Sequence, residues 1–163
     1  MIAYGKAFLD SVCEKQIAID GKKLRGTRPT SKGTKGDYIL NAFVCENQLV
    51  IGQLALEDKE NEITAIPKIL DKINIEGATV TIDAIGVQVG IARKILDKGG
   101  HYMLAIKNNH KYTHEAIDEA FRFHSSEVLD TYEEKNVGHD WIEVRTCRIL
   151  PAEVMKNEDV DGR

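Results

Sequence analysis

Long apolar runs are missing. No stretch of the 163 residues approaches 18 uninterrupted apolar positions, so no transmembrane helix is expected and no membrane partner is implied. The opening Met-Ile-Ala-Tyr-Gly-Lys-Ala-Phe-Leu-Asp has too short an apolar run for a signal peptide, and a cytoplasmic protein is the expectation. Cysteine is scarce. Cys13, Cys45 and Cys147 are widely spaced with no Cys-x-x-Cys, which argues against zinc or redox chemistry and for reduced, partly buried thiols. The Gly-x-x-Gly at 33–36 has neither the Lys-Ser/Thr ending nor the preceding strand of a P-loop. His110 and His114 share a helical face but have no glutamate between them at the required position and no third ligand, so they make a poor zinc site.

What is present is the makeup of one globular domain with tails, 42% hydrophobic and 29% charged. The net charge of −4 is unevenly spread: residues 21–36 contain Lys22, Lys23, Arg25, Arg28, Lys32 and Lys35 and no acid. That segment carries +6, and the remainder therefore −10. Such a loop suits a polyanion, because phosphate contacts come mainly from Lys and Arg. It equally suits a solvated loop whose charges face water.

Phe8, Leu9 and Val12 predict a leading helix within 1–14. Gln16–Asp20 reads as a first strand, followed after the basic loop by strands at Tyr38–Cys45 and Gln48–Leu56. Only Glu46-Asn47 separates the last two, a hairpin in which Asn47 is expected to take the positive φ. Ile63, Ile66, Ile69, Leu70 and Ile73 mark an amphipathic helix, whose regular part should start near Thr64 because Pro67 belongs in a first turn. A strand at Thr79–Asp83 leads to a helix over Gln88–Lys98 with Ile91, Ala92, Ile95 and Leu96 inward, ended by Gly99-Gly100. His101–Ile106 is a fifth strand, and Tyr112–Phe123 a helix with Ala116, Ile117, Ala120 and Phe121 inward. The core should span 15–125, and 126–163 an acidic linker, an extra strand at His139–Leu150 and a disordered tail. This order, three meandering strands and then alternating α and β, is that of an α/β, ribonuclease-H-like mixed five-stranded sheet with flanking helices. In such a sheet the first and fourth strands are parallel neighbours.

Asp20 and Asp83 each stand where a β-branched run meets a small residue. A carboxylate at the end of a buried strand is costly without a partner, and two on adjacent strands could together hold a divalent metal for attack on a phosphodiester. The competing reading has each aspartate capping a turn through the amide of Gly21 or Gly86.

Four segments carry a family resemblance: Ile-Asp-Gly-Lys-x-Leu-Arg-Gly (19–26), Asn-Glu-Ile-Thr-Ala-Ile-Pro (61–67), Thr-Ile-Asp-Ala-Ile-Gly-x-Gln (81–88) and Gly-Gly-His-Tyr-Met-Leu-Ala-Ile-Lys-Asn-Asn (99–109). In this order they resemble the DDE-type insertion-sequence transposases of the branch that includes the H-repeat-associated proteins, over about 15–150. The resemblance implies that Asp20 and Asp83 are the first two acids of a catalytic triad using Mg²⁺ or Mn²⁺. The implied partner is DNA, at element ends and target, with a homo-oligomer in the full-length protein. It also implies a third acid, a glutamate in a downstream helix within a motif like His-Trp-x-Ile-Glu-Asn, and the chain reaches Arg163 without that motif. An incomplete catalytic domain, inactive by itself, is the expectation.

Glu143, in Trp-Ile-Glu, lies on an alternating segment that resembles a family stretch upstream of the catalytic helix. Glu115 and Glu119 lie after the fifth strand, where simpler ribonuclease-H folds place the last acid, although exposed helix acids are commonly just solvated. Glu62 opens a helix, where it could ligate an additional metal or simply gain from the helix dipole. Asn61 reads as a cap rather than a DNA contact, and Trp141 as core rather than a base-stacking platform. Lys22, Lys23, Arg25, Arg28 and Lys107 are the candidate DNA contacts. Two rival functions stand beside the transposase: a catalytically inactive remnant that binds DNA or a transposase, and a small nuclease drawing its last acid from Glu115 or Glu119.

Overall fold

The computed structural model describes residues 14–24, 38–56, 60–138 and 141–155. The expected leading helix, Arg25 and Arg28 with most of the basic loop, Cys13 and the tail beyond Met155 lie outside the described residues. The chain divides into two compact units on either side of the Ala105–Ile106 junction.

The first unit is built on five strands: β1 (Gln16–Lys23), β2 (Tyr38–Val44), β3 (Leu49–Leu56), β4 (Thr79–Ile82) and β5 (His101–Leu104). Their order is β3-β2-β1-β4-β5, with β1–β2–β3 antiparallel and β1, β4 and β5 parallel. This is the ribonuclease-H-like mixed sheet expected from the sequence. One face is apolar because the apolar residues alternate onto it: Ile17, Ile19, Leu40, Ala42, Val44, Val80 and Ile82 are all buried. Helices α1 (Glu62–Lys72) and α2 (Val89–Asp97) cover that face with Ala65, Ile66, Ile69, Leu70, Ile91 and Ile95. They are the crossovers that make β1, β4 and β5 parallel.

Several local details differ from expectation, each for a local reason. Helix α1 begins at Glu62, two residues before Thr64, because Asn61 and Thr64 form a capping box: Thr64 N donates to Asn61 Oδ1 at 3.0 Å and Asn61 N to Thr64 Oγ1 at 3.2 Å. Pro67 is then tolerated inside the helix. The bond it gives up is the one to Ile63, which is 38% exposed and within reach of water. In the β2–β3 turn the positive φ falls on Gln48 (52°), and Asn47 instead accepts a hydrogen bond from Lys15 Nζ at 2.9 Å. Leu96 is 54% exposed, so the inner stripe of α2 is narrower than its periodicity suggested.

The second unit holds α3 (Lys111–Phe123) and an antiparallel hairpin of β6 (Asp130–Val137) and β7 (Ile142–Ile149). The acidic segment after α3, expected to begin as a linker, therefore supplies a full strand. Ala120 of α3 and Val154 of a closing 3-10 turn are buried, and the Arg148 guanidinium lies 5.2 Å from the Phe121 ring centroid. Trp141 is not core. It is 56% exposed, stands just before β7 and packs over Gly138 at the hairpin end, its carbonyl accepting from Gly138 N at 2.8 Å.

Candidate active site

Asp20 and Asp83 come together because of register. Ile19 and Ile82 are partners across the parallel β1–β4 pair, so the next residue along the chain from each projects away from the helix-covered face at the same end of the sheet. Both aspartates are exposed, and with Gln16, Ala18, Thr81 and Met103 they line one open depression of about 480 Å³.

The turn-capping alternative does not describe either residue. Asp20 lies within β1, paired with Asn41, and the strand runs on through Gly21 to Lys23, so no turn follows it. Asp83 does precede a 3-10 turn at Ala84–Gly86, but its side chain makes no cap bond there, and the Gly86 amide is taken by the Asp83 carbonyl at 2.9 Å. Gly86 is held tightly: a Cβ there would overlap the Ile82 and Ile66 side chains, so the turn carrying Asp83 is seated directly on the core.

A third carboxylate stands beside β1. Glu62, in the first turn of α1, accepts a hydrogen bond from the Tyr38 hydroxyl at the start of β2. Gly21 leaves the space for this pair, since a Cβ on it would overlap Glu62 Oε1 and the Tyr38 ring. Burial pushes the Tyr38 hydroxyl up to about 12, with the hydrogen bond to Glu62 and the negative charges of Glu62 and Asp20 acting in the same direction. Tyr38 was not singled out from the sequence. Its signal is weak, a tyrosine opening a strand antiparallel to the one that carries Asp20.

The donor chemistry suits a hard cation. Mg²⁺ keeps several waters and is held by one or two carboxylates, which is what Asp20 and Asp83 offer at an open edge. Among the described residues no three acids, histidines or cysteines stand close enough to hold one ion.

The remaining candidates are placed as follows. Lys22 and Lys23 continue β1 past Asp20 and are exposed. Lys107 is exposed in the second unit, just before the 3-10 turn at Asn108–His110. Glu115 and Glu119 lie exposed on α3, Glu115 3.8 Å from Lys111. Glu143 sits on β7, 2.9 Å from Arg145, on a strand as its alternation indicated. Cys45 is half-buried and Cys147 exposed, both unbridged. No helix among the described residues is long and apolar enough to cross a membrane.

Residues 12–148 match the family described as "Transposase DDE domain". The Escherichia coli K12 protein named "Putative transposase YncI" is 40% identical over 131 residues, 79% of this chain and 53% of that protein. "H repeat-associated putative transposase YhhI" of the same strain is 36% identical over 143 residues, 85% of this chain and 38% of that one. A third relative, "Putative transposase YncI" of Escherichia coli O157:H7, is 40% identical and is covered over 34% of its length, so the chain spans from a third to about half of these relatives. Among solved structures, a piggyBac transposase in a synaptic complex with hairpin DNA aligns with a TM-score of 0.41 and 14% identity, over 56% of this chain and 22% of that one, a likeness that assigns no residue. The match over nearly the whole chain makes it a member of the DDE transposase domain family.

Proposed function

We propose that this domain supplies two metal ligands, Asp20 and Asp83, for cleavage and strand transfer of DNA in the cytoplasm. The observation that carries the reading is the Ile19–Ile82 register, which puts both carboxylates at one open edge of the sheet. A bound Mg²⁺ or Mn²⁺ would activate the attacking oxygen and stabilise the leaving one. The chain's own contribution is to hold the two carboxylates on paired strands, where little reorganisation is needed as charge develops. Lys22, Lys23 and Lys107, with Arg25 and Arg28, are the proposed contacts to DNA phosphate, at element ends and at target.

In this reading the third acid comes from a downstream helix, in line with the described residues grouping no three possible metal ligands. The domain alone should therefore bind Mn²⁺ weakly and leave DNA uncut. Incubating the purified chain with Mn²⁺ or Mg²⁺ and a linear duplex tests this: intact DNA is expected, and efficient metal-dependent nicking that Asp83→Ala abolishes would overturn it.

The same observation also supports a second reading, a catalytically inactive module that binds DNA or a longer transposase. Retention of full DNA affinity by an Asp20→Ala/Asp83→Ala double variant, together with undetectable Mn²⁺ binding by the parent chain, would favour it.

A further inference from the structure

The five-stranded sheet ends differently on its two sides. β5 closes one side with four residues, and so short an edge offers little to pair with. β3 closes the other with eight, Leu-Val-Ile-Gly-Gln-Leu-Ala-Leu, and among the described residues no strand lies beyond it. An edge of this length leaves a row of backbone N–H and C=O groups unpaired, which proteins guard with lysine, proline, an inward charge or a bulge. β3 has no charged residue and no proline. Its guard is a bulge: Ala42 pairs with Gly52 but Phe43 with Val50, so Ile51 is the extra residue. That bulge interrupts the first half of the strand and leaves 52–56 regular. The core is also unfinished here. Leu54 and Leu56 pack against the buried cluster yet stay only half-buried, with no strand beyond β3 to cover their outer side among the described residues.

A second copy of the same edge meets both needs. In a two-fold antiparallel strand pair one residue lies opposite itself, and the same patch serves both subunits. Setting Leu54 opposite the partner's Leu54 pairs all five regular residues of each strand and keeps both bulges outside the ladder. No other centre does so. Gly52 then faces the partner's Leu56 and Gln53 the partner's Ala55, so leucines cover one another on the core face and no like charges meet on either face. We propose that the chain forms a two-fold dimer through β3, antiparallel to the partner's β3 and centred on Leu54, which joins the two sheets into one. The dimer is closed, because it uses the long edge of both subunits. β3 lines no part of the depression holding Asp20 and Asp83, which stays open in each subunit, so the dimer does not depend on the reading of those aspartates.

Analytical ultracentrifugation of the full chain over a range of concentrations tests it. A monomer–dimer equilibrium with no larger species is expected. Gln53 and Ala55 are exposed, and Gln53 gives up only an exposed hydrogen bond to Asn41 when replaced. Gln53→Lys/Ala55→Lys sets lysine opposite lysine twice across the pair and should weaken dimerisation roughly tenfold, with little change in the melting temperature of the monomer. Gln53→Lys/Ala55→Glu alters the same positions but sets lysine opposite glutamate twice, and should dimerise at least as tightly as the parent. If the first variant does not fold, Gln53→Glu/Ala55→Glu supplies the same like-charge pairs and stands in. A parent chain that stays monomeric, species that keep growing with concentration, or a dimer that the two kinds of variant leave equally tight or weaken equally would each overturn the proposal.

Discussion

Ile19 and Ile82 face each other in register across two parallel strands, 3% and 6% exposed. Their burial keeps the β1–β4 pair from slipping, because a one-residue shift of either strand would turn its isoleucine out and its aspartate in. Adjacent strands lie about 4.8 Å apart, so Asp20 and Asp83 are brought within each other's field by apolar packing alone. The polar site is a by-product of the core register.

Asp20 is exposed and should matter to the cation but not to the fold. Asp20→Ala is expected to change unfolding free energy by less than about 0.5 kcal/mol, as surface substitutions do. Chemical denaturation in metal-free buffer, run beside a Mn²⁺ titration, separates the two effects.

Gly86→Ala should be costly in both respects. Its new Cβ would press on Ile82 and Ile66, an overpacking expected to cost about 1–3 kcal/mol, and the turn carrying Asp83 would have to move. Urea unfolding should register the loss, and Mn²⁺ affinity should fall with it.

Tyr38 should titrate late. With its hydroxyl at about 12 rather than 10.0, the folded state favours the protonated phenol. The associated stability is fully present below about pH 10 and is lost as pH rises through about 12. A late step in tyrosinate absorbance, missing in Tyr38→Phe, is the expected signature, and loss of the late step in Glu62→Ala would trace part of it to that carboxylate.

Asn61→Ala removes one half of the capping box and should destabilise the domain by about 1 kcal/mol. Because Glu62 is the first residue of that helix, the loosened turn should also blunt the late Tyr38 titration, a link that a thermal melt alone would not show.

Lys22 and Lys23 follow Asp20 on the same exposed strand end. Replacing both with alanine should weaken DNA binding about equally across sequences and reduce the salt slope by about 1 for each lysine that touches a phosphate. An unchanged slope in an electrophoretic titration at several salt concentrations would remove them from the interface.

Elements whose signal is local were legible from the chain. The isoleucine spacing of α1 and α2, the alternation in β1 and β4 and the Gly99-Gly100 stop all act over a few residues, and Gly99 does take a positive φ of 72°. The misses are where two weak local preferences competed or the partner was remote. Pro67 argued for a late helix start and lost to the Asn61–Thr64 box. Asn47 was the better residue for a positive φ, yet its side chain went to Lys15, 32 residues away, and Gln48 took the turn. Trp141 looked like core because alternation cannot show that a strand lies in a two-stranded hairpin with little to cover it.

By itself the sequence determined the strand-and-helix order of the five-stranded sheet, and with it the strand neighbours there, because short crossovers between β-branched runs allow few other arrangements. It also placed Asp83 just past a strand end, since a carboxylate cannot sit in the buried run that precedes it, whereas Asp20, expected to end its strand, lies within β1, which runs on to Lys23. Only the tertiary structure joined Tyr38 to Glu62 over Gly21. That contact links three elements through a hydrogen bond and a missing Cβ, and neither leaves any periodicity in the chain.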